Sequence, residues 1–160
     1  MLTDPMSVDR HEDSIVIAAP LADVYAVVSD VTRVGEWSPV CRACWWEDDA
    51  ERGVGAWFGG RNESGGRVWE TRSQVKEAEP GVAFAWQVDG NLVAWAYRLR
   101  AVEGGTELSE SWAINDATKQ VFVEKYGEHA DRVIDDRRQE ALTGIPATLA
   151  RIRQIVEGAA

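Results

Sequence analysis

Basic charge is scarce in this sequence: 17 Lys and Arg face 27 Asp and Glu, for a net charge of -10. Nucleic acids and anionic membrane surfaces are held by clusters of Lys and Arg that displace counterions, and the sequence contains no such cluster. A nucleic-acid partner is therefore not expected. Long apolar runs are missing too, and nothing approaches the roughly 20 residues that a membrane span requires, so no membrane insertion is expected. The first 13 residues have neither the basic patch nor the apolar core of a targeting segment. Two cysteines are too few for the disulfide framework of a small secreted domain, which makes a cytoplasmic setting the expectation. Cys41 and Cys44 form a lone C-x-x-C without the second pair of a zinc site, and on a strand the two thiols would point to opposite faces. They read as buried thiols. His11 and His129 stand alone, without metal-ligand spacing or a nucleophile motif, and read as surface residues. Gly59, Gly60, Gly65 and Gly66 precede no helix bearing Lys and Ser or Thr, so they are not a phosphate-cradling loop. Neither a metal nor a cofactor is expected.

What the sequence does have is tryptophan, eight residues in a chain of 160, most of them in segments that read as strands. The length suits one domain, expected over 11–160 behind a flexible lead-in of 1–10. Its last stretch, Asp131 to Glu157, carries Ile134, Leu142, Ile145, Leu149, Ile152 and Val156 at alternating spacings near three and four. That is one stripe of a long amphipathic helix. Pro146, with Gly144 just before it, should bend the helix, because proline offers no N–H to the carbonyl of Leu142.

Upstream, a strand is predicted over Asp13 to Ala18, followed by a helix opened by Pro20 and running to about Ser29. A second short helix, capped by Asp30, is expected over Val31 to Glu36. From Val40 the period becomes two. Strands are expected over Val40–Trp46, Val54–Arg61, Arg67–Glu77, Val82–Val88, Leu92–Val102 and Thr106–Ile114, with Gly-containing turns between them. Short turns favour an antiparallel meander. Ala117 to Ala130 reads as a loop or short helix. The fold class is α+β: a seven-stranded curved antiparallel sheet around a long C-terminal helix, with two short helices between strands 1 and 2.

The residues Ile17, Ala19, Pro20, Val24, Tyr25, Val28, Ser29 and Asp30, then Trp37, Ser38 and Pro39, resemble the opening of the START-like, polyketide cyclase/dehydrase (SRPBCC) superfamily. Val75, Glu79, Pro80, Gly81, Phe84, Trp86, Trp95, Tyr97, Leu99, Gly105, Thr106 and Leu108 match its later strands, so the resemblance spans about residues 11 to 157. It implies a helix-grip fold with a deep cavity between sheet and long helix. Relatives use that cavity for lipids, aromatic polyketides, hormones and other hydrophobic ligands. Some catalyse cyclisation or dehydration, and many only bind and carry.

Period two also assigns faces. Inward positions are Trp69, Thr71, Ser73 and Val75; Phe84, Trp86 and Val88; Val93, Trp95, Tyr97 and Leu99; and Thr106, Leu108, Glu110, Trp112 and Ile114. Arg98, Arg100, Glu107, Ser109 and Ser111 face solvent. One aromatic residue on a strand is ordinary core. Several on one concave face form the wall of a small-molecule pocket, because buried indole N–H and phenol O–H groups need partners. The expected ligand-binding set is Trp69, Thr71, Ser73, Phe84, Trp86, Trp95, Tyr97 and Trp112, with Leu142, Ile145 and Leu149 from the helix. Glu110, between Leu108 and Trp112, is the candidate acid/base, with Tyr97 or Ser73 as its hydroxyl partner. Arg61 and Arg72 are candidate counterions for it, although parity puts Arg72 outside.

These residues support binding or carriage of a hydrophobic or aromatic small molecule, lipid or polyketide-like, by a monomer or homodimer. The alternatives are a cyclase/dehydratase-type enzyme using Glu110, and a partner-binding module without a ligand, for which a filled interior would speak.

Overall fold

Alternating apolar and polar positions, joined by tight turns, build one sheet. The computed structural model describes residues 9–47, 52–89 and 92–158. Its strands are β1 (Asp9–Ile17), β2 (Cys41–Trp46), β3 (Trp57–Ser64), β4 (Arg67–Glu79), β5 (Ala83–Val88), β6 (Val93–Val102) and β7 (Gly105–Ile114). They run antiparallel in the order β1-β7-β6-β5-β4-β3-β2, so β2 to β7 form a continuous meander and β1 closes against β7. The β3–β4 hairpin has a two-residue turn at Gly65 and Gly66, with φ of 58° and 81°. Positive φ at both positions matches the right-handed twist of the flanking strands, and glycine adopts it without strain. Register shifts in β2, between Cys41 and Ala43, and in β4, between Val75 and Glu77, add to the curvature.

The first strand starts earlier than its hydrophobic pattern predicts. Asp9 pairs with Ile114 and Arg10 with Ala113, so the ladder to β7 fixes this end where the alternation is too weak to show it. Residues 9 and 10 therefore belong to the sheet rather than to a lead-in, and the rest of the expected lead-in, 1–8, lies outside the described residues.

Between β1 and β2 come α1 (Leu21–Val28) and a 3₁₀ helix (Val31–Glu36). Asp30 caps the 3₁₀ helix, its Oδ1 accepting from the Thr32 backbone N–H at 3.1 Å. This helix lies tightly on β2: a Cβ at Gly35 would stand 2.2 Å from the Arg42 carbonyl oxygen.

The segment expected as a loop or short helix is α2 (Asp116–Tyr126). Asn115 starts it through a capping box with Thr118, accepting from the Thr118 N–H at 3.0 Å. The Thr118 hydroxyl donates to the Leu92 carbonyl at 2.6 Å, fastening α2 to the segment before β6.

The long terminal helix, α3 (Ala130–Gly158), is continuous through Pro146. Its buried residues are Ala130, Ile134, Ala141, Ile145, Thr148, Leu149, Ile152 and Val156. Polar contacts hold its two ends to β1 and the residue that follows it. Arg138 reaches Asp9 at 2.6 Å, and the Ala18 N–H donates to Glu157 at 2.9 Å. The inner face of the sheet and the stripe of α3 share one core, in which Ile17, Val75, Leu108, Ile145, Leu149 and Ile152 are almost fully buried. This is the helix-grip arrangement. No helix among the described residues is long and apolar enough to cross a membrane.

Candidate functional site

Sheet curvature keeps the middle of α3 from closing on the strands, and a cavity of about 430 Å³ lies between them. Its wall contains Trp69, Thr71, Ser73, Phe84, Trp86, Trp95, Tyr97, Glu110, Trp112 and Ile145, ten of the residues expected there from alternation and helical spacing. Two expected residues lie elsewhere. Leu142 is 37% exposed, and Leu149 is buried in the core outside the cavity wall. The helical phase explains Leu142: Ala141 stands one turn before Ile145 and takes the inward position, which leaves its neighbour on the outer edge of the stripe.

Trp86 is the hub of the aromatic wall. It stacks on Trp95, its partner across β5 and β6, with centroids 6.3 Å apart and planes 10° from parallel. Phe58 meets it edge-on at 6.3 Å, while Phe84 and Tyr97 lie tilted at 5.8 and 5.5 Å. Such clusters are rigid and present flat, polarisable surface. The exposed part of the lining includes the charged residues Arg67, Glu70, Asp89 and Lys125. There Trp69 has Arg67 over its ring at 4.7 Å and Arg137 of α3 at 5.9 Å.

Two polar side chains lie deep in the wall. Glu110 is 5% exposed and Tyr97 2%, and the two are directly opposed across β6 and β7. Burial pushes the Glu110 carboxyl up to about 8, against a smaller opposing effect of the Tyr97 hydroxyl. Burial also raises the Tyr97 phenol well above its usual range, and the neighbouring Glu110 charge adds to this. Glu110 is therefore a neutral acid at pH 7, with a proton to give. Among the described residues neither its Oε1 nor Nε1 of Trp37, another cavity residue, 4% exposed, makes a well-aligned hydrogen bond, although Trp37 and Glu110 both lie close enough to the Tyr97 hydroxyl to shift its ionisation. Buried polar atoms are rarely left unsatisfied.

Among the described residues no arginine neutralises Glu110. Arg72 lies on the outer face, bonded to Glu47 at 2.7 Å and stacked over Trp57 at 3.8 Å, and Arg61 is exposed. Thr71 is satisfied by Asn62, whose amide donates to its hydroxyl at 3.2 Å. Asn62 was not among the expected residues, although it shares the inward parity of Phe58 and Gly60. Phe122, Tyr126 and Thr148 were not singled out as lining either, since they reach the cavity from helices whose phase relative to the sheet no local pattern records.

Both cysteines also line the cavity, in contrast to the expectation of opposite faces. Cys41 pairs with Asn62 and Ala43 with Arg61, so Arg42 is an extra residue that reverses the parity and turns Cys41 to the same side as Cys44. The expectation for His11 changes as well. It is half-buried on β1, with Nε2 enclosed and unpartnered among the described residues, whereas His129 is exposed. Among those residues no group of three or more His, Cys, Asp or Glu is placed to hold a metal ion.

This combination of gripped helix, hollow interior and aromatic wall has a counterpart in known sequences: the model of a family described as polyketide cyclase/dehydrase and lipid transport matches residues 9–150. The chain belongs to that family. The solution structure of the polyketide cyclase-like protein Cgl2372 from Corynebacterium glutamicum is 49% identical, with 92% of this chain covering 91% of that one and a TM-score of 0.69. Two more distant structures share the family fold. The di-domain ARO/CYC protein StfQ of the steffimycin biosynthetic pathway is 14% identical with a TM-score of 0.73, and 96% of this chain covers 52% of it. Ara h 8.0201 is 15% identical with a TM-score of 0.64, and 94% of this chain covers 99% of it. No curated protein matches the sequence. Family membership supports a ligand-binding or cyclase-type fold.

Proposed function

We propose that this protein binds and carries a hydrophobic, aromatic small molecule with one polar end, lipid or polyketide-like, in the cavity between sheet and α3. The observation that carries the reading is a pair of buried atoms on the cavity wall, Glu110 Oε1 and Trp37 Nε1, that lack a well-aligned hydrogen bond among the described residues. A guest's rings would lie against Trp86 and Trp95, and its carbonyl or hydroxyl would complete the hydrogen bonds those atoms lack. The open interior speaks against a module that works only through its outer surface. A cytoplasmic setting is part of the same proposal, in keeping with a chain that has only two cysteines.

A second reading, a proton-transferring cyclase or dehydratase, draws on one specific observation: a carboxyl titrating at about 8 beside a phenol is poised to exchange protons near neutral pH. In that role Glu110 would donate to a carbonyl oxygen of the guest while Tyr97 orients it.

Native mass spectrometry of the protein purified from its own cells tests the first reading, with titration of an aromatic probe such as 1-anilinonaphthalene-8-sulfonate alongside. A co-purified apolar compound, or saturable probe binding weakened in Trp86→Ala, supports it. A protein that takes up neither is not a carrier. Glu110→Gln separates the two readings, since it changes affinity alone in a carrier and abolishes turnover in an enzyme.

A further inference from the structure

The two thiols of the cavity wall take no part in that reading, and they meet. Sγ of Cys41 lies 3.1 Å from Sγ of Cys44, brought there by the extra residue Arg42 in β2. Gly60 of β3 faces them. A Cβ at that position would sit 3.4 Å from the Cys44 sulfur and 3.5 Å from that of Cys41, so its absence leaves the pair room. Both cysteines are half-buried, and among the described residues β2 is an edge strand paired with β3 alone, so the bulge can adjust without disturbing a second ladder.

We propose that Cys41 and Cys44 are a reversible oxidation site, a dithiol on the cavity wall that closes to an intramolecular disulfide by exchange with low-molecular-weight disulfides. Closure takes the sulfurs to about 2.05 Å, a movement of roughly 1 Å. The attacking species is a thiolate. Cys41 supplies it, because the two sulfurs share a hydrogen bond in which either can donate, and sharing it lowers the ionisation of Cys41 while raising that of Cys44. The Cys41 thiolate attacks one sulfur of the small disulfide, forming a mixed disulfide and releasing the first small thiolate, which takes up a proton. Cys44 then gives up its proton and attacks the Cys41 sulfur, expelling the second small thiol. Two cysteine thiols are oxidised, and one small disulfide is reduced to two thiols.

Incubation of the reduced full-length chain with mixtures of glutathione and glutathione disulfide, followed by alkylation and intact-mass measurement, tests this. The expected product is a monomer that has lost two hydrogens and carries neither alkyl groups nor glutathione. In Cys44→Ser the mixed disulfide on Cys41 should persist as a single glutathione adduct. In Cys41→Ser the remaining thiol should react at least tenfold more slowly than Cys41 does in Cys44→Ser. Stable glutathione adducts on the parent chain, disulfide-linked dimers, or two thiols that stay alkylable at every ratio would each overturn the proposal. So would equal rates in the two variants, which would show that no cysteine is preferred as nucleophile.

Discussion

Tyr97 and Glu110 face each other across β6 and β7 with both side chains closed off from solvent. A phenol and a carboxyl in that position keep their protons, and this has a consequence for stability. Between the ordinary value of 4.5 and about 8, the folded chain holds a proton at Glu110 that the unfolded chain has released. Stability then falls as pH rises through that window, because the folded state binds more protons.

Glu110→Gln removes this dependence. The group contributes a loss on the order of 5 kcal/mol across the window at 1.36 kcal/mol per unit. The variant should therefore gain on the parent as pH increases from about 5 to about 8. Urea unfolding over that range measures it. A constant difference between the two proteins would mean that Glu110 ionises normally in the fold.

Trp86 and Trp95 form the stacked pair of the wall. Replacing either with Ala should weaken binding of an aromatic probe by about 1–3 kcal/mol, roughly five- to 150-fold in Kd. Fluorescence titration of the bound probe reads this directly, and unchanged affinity in both variants would take the pair out of the site.

Leu142 and Ile145 are three residues apart on α3 but differ in surroundings: one is 37% exposed, the other 1%. Ile145→Ala should cost about 2–5 kcal/mol, whereas Leu142→Ala should stay within about 1 kcal/mol. Thermal unfolding of the two variants side by side decides it. Equal losses would indicate that α3 is rotated from the phase described.

Gly105 opens β7 with a φ of 143°, and a Cβ there would lie 2.0 Å from the Ile17 carbonyl oxygen. Gly105→Ala should lose about 3 kcal/mol, since strain and a backbone clash combine. At Gly104, φ is 91° but the surrounding space is open, so Gly104→Ala should lose less, about 1 kcal/mol. Chemical denaturation that ranks them the other way would contradict the close approach of β1 to this turn.

Much of the cavity wall was legible because a strand's period is two. Once the inward face of β7 was read from Leu108 and Ile114, Glu110 and Trp112 had to share it, and the same parity placed Trp86, Trp95 and Tyr97. Bulges break that inference. Arg42, one unpaired residue, turned Cys41 to the side of Cys44, and nothing in the local composition announced it. Helical phase fails for a related reason: Leu142 and Ala141 both fit an apolar stripe, and the choice between them depends on which side of α3 the sheet occupies. The helix α2 was read as a loop or short helix because its capping box uses Thr118 where Glu or Gln is the usual signal.

The sequence by itself determined the strands, their turns, the long terminal helix and the inward set on the sheet, because each follows from spacing over a few residues. Tertiary structure alone decided that a hollow remains between sheet and α3, that Glu110 Oε1 and Trp37 Nε1 lack a well-aligned hydrogen bond among the described residues, and that two cysteines touch. Those are relations between segments distant along the chain, fixed by curvature and by how closely α3 can approach, and local periodicity carries no record of either.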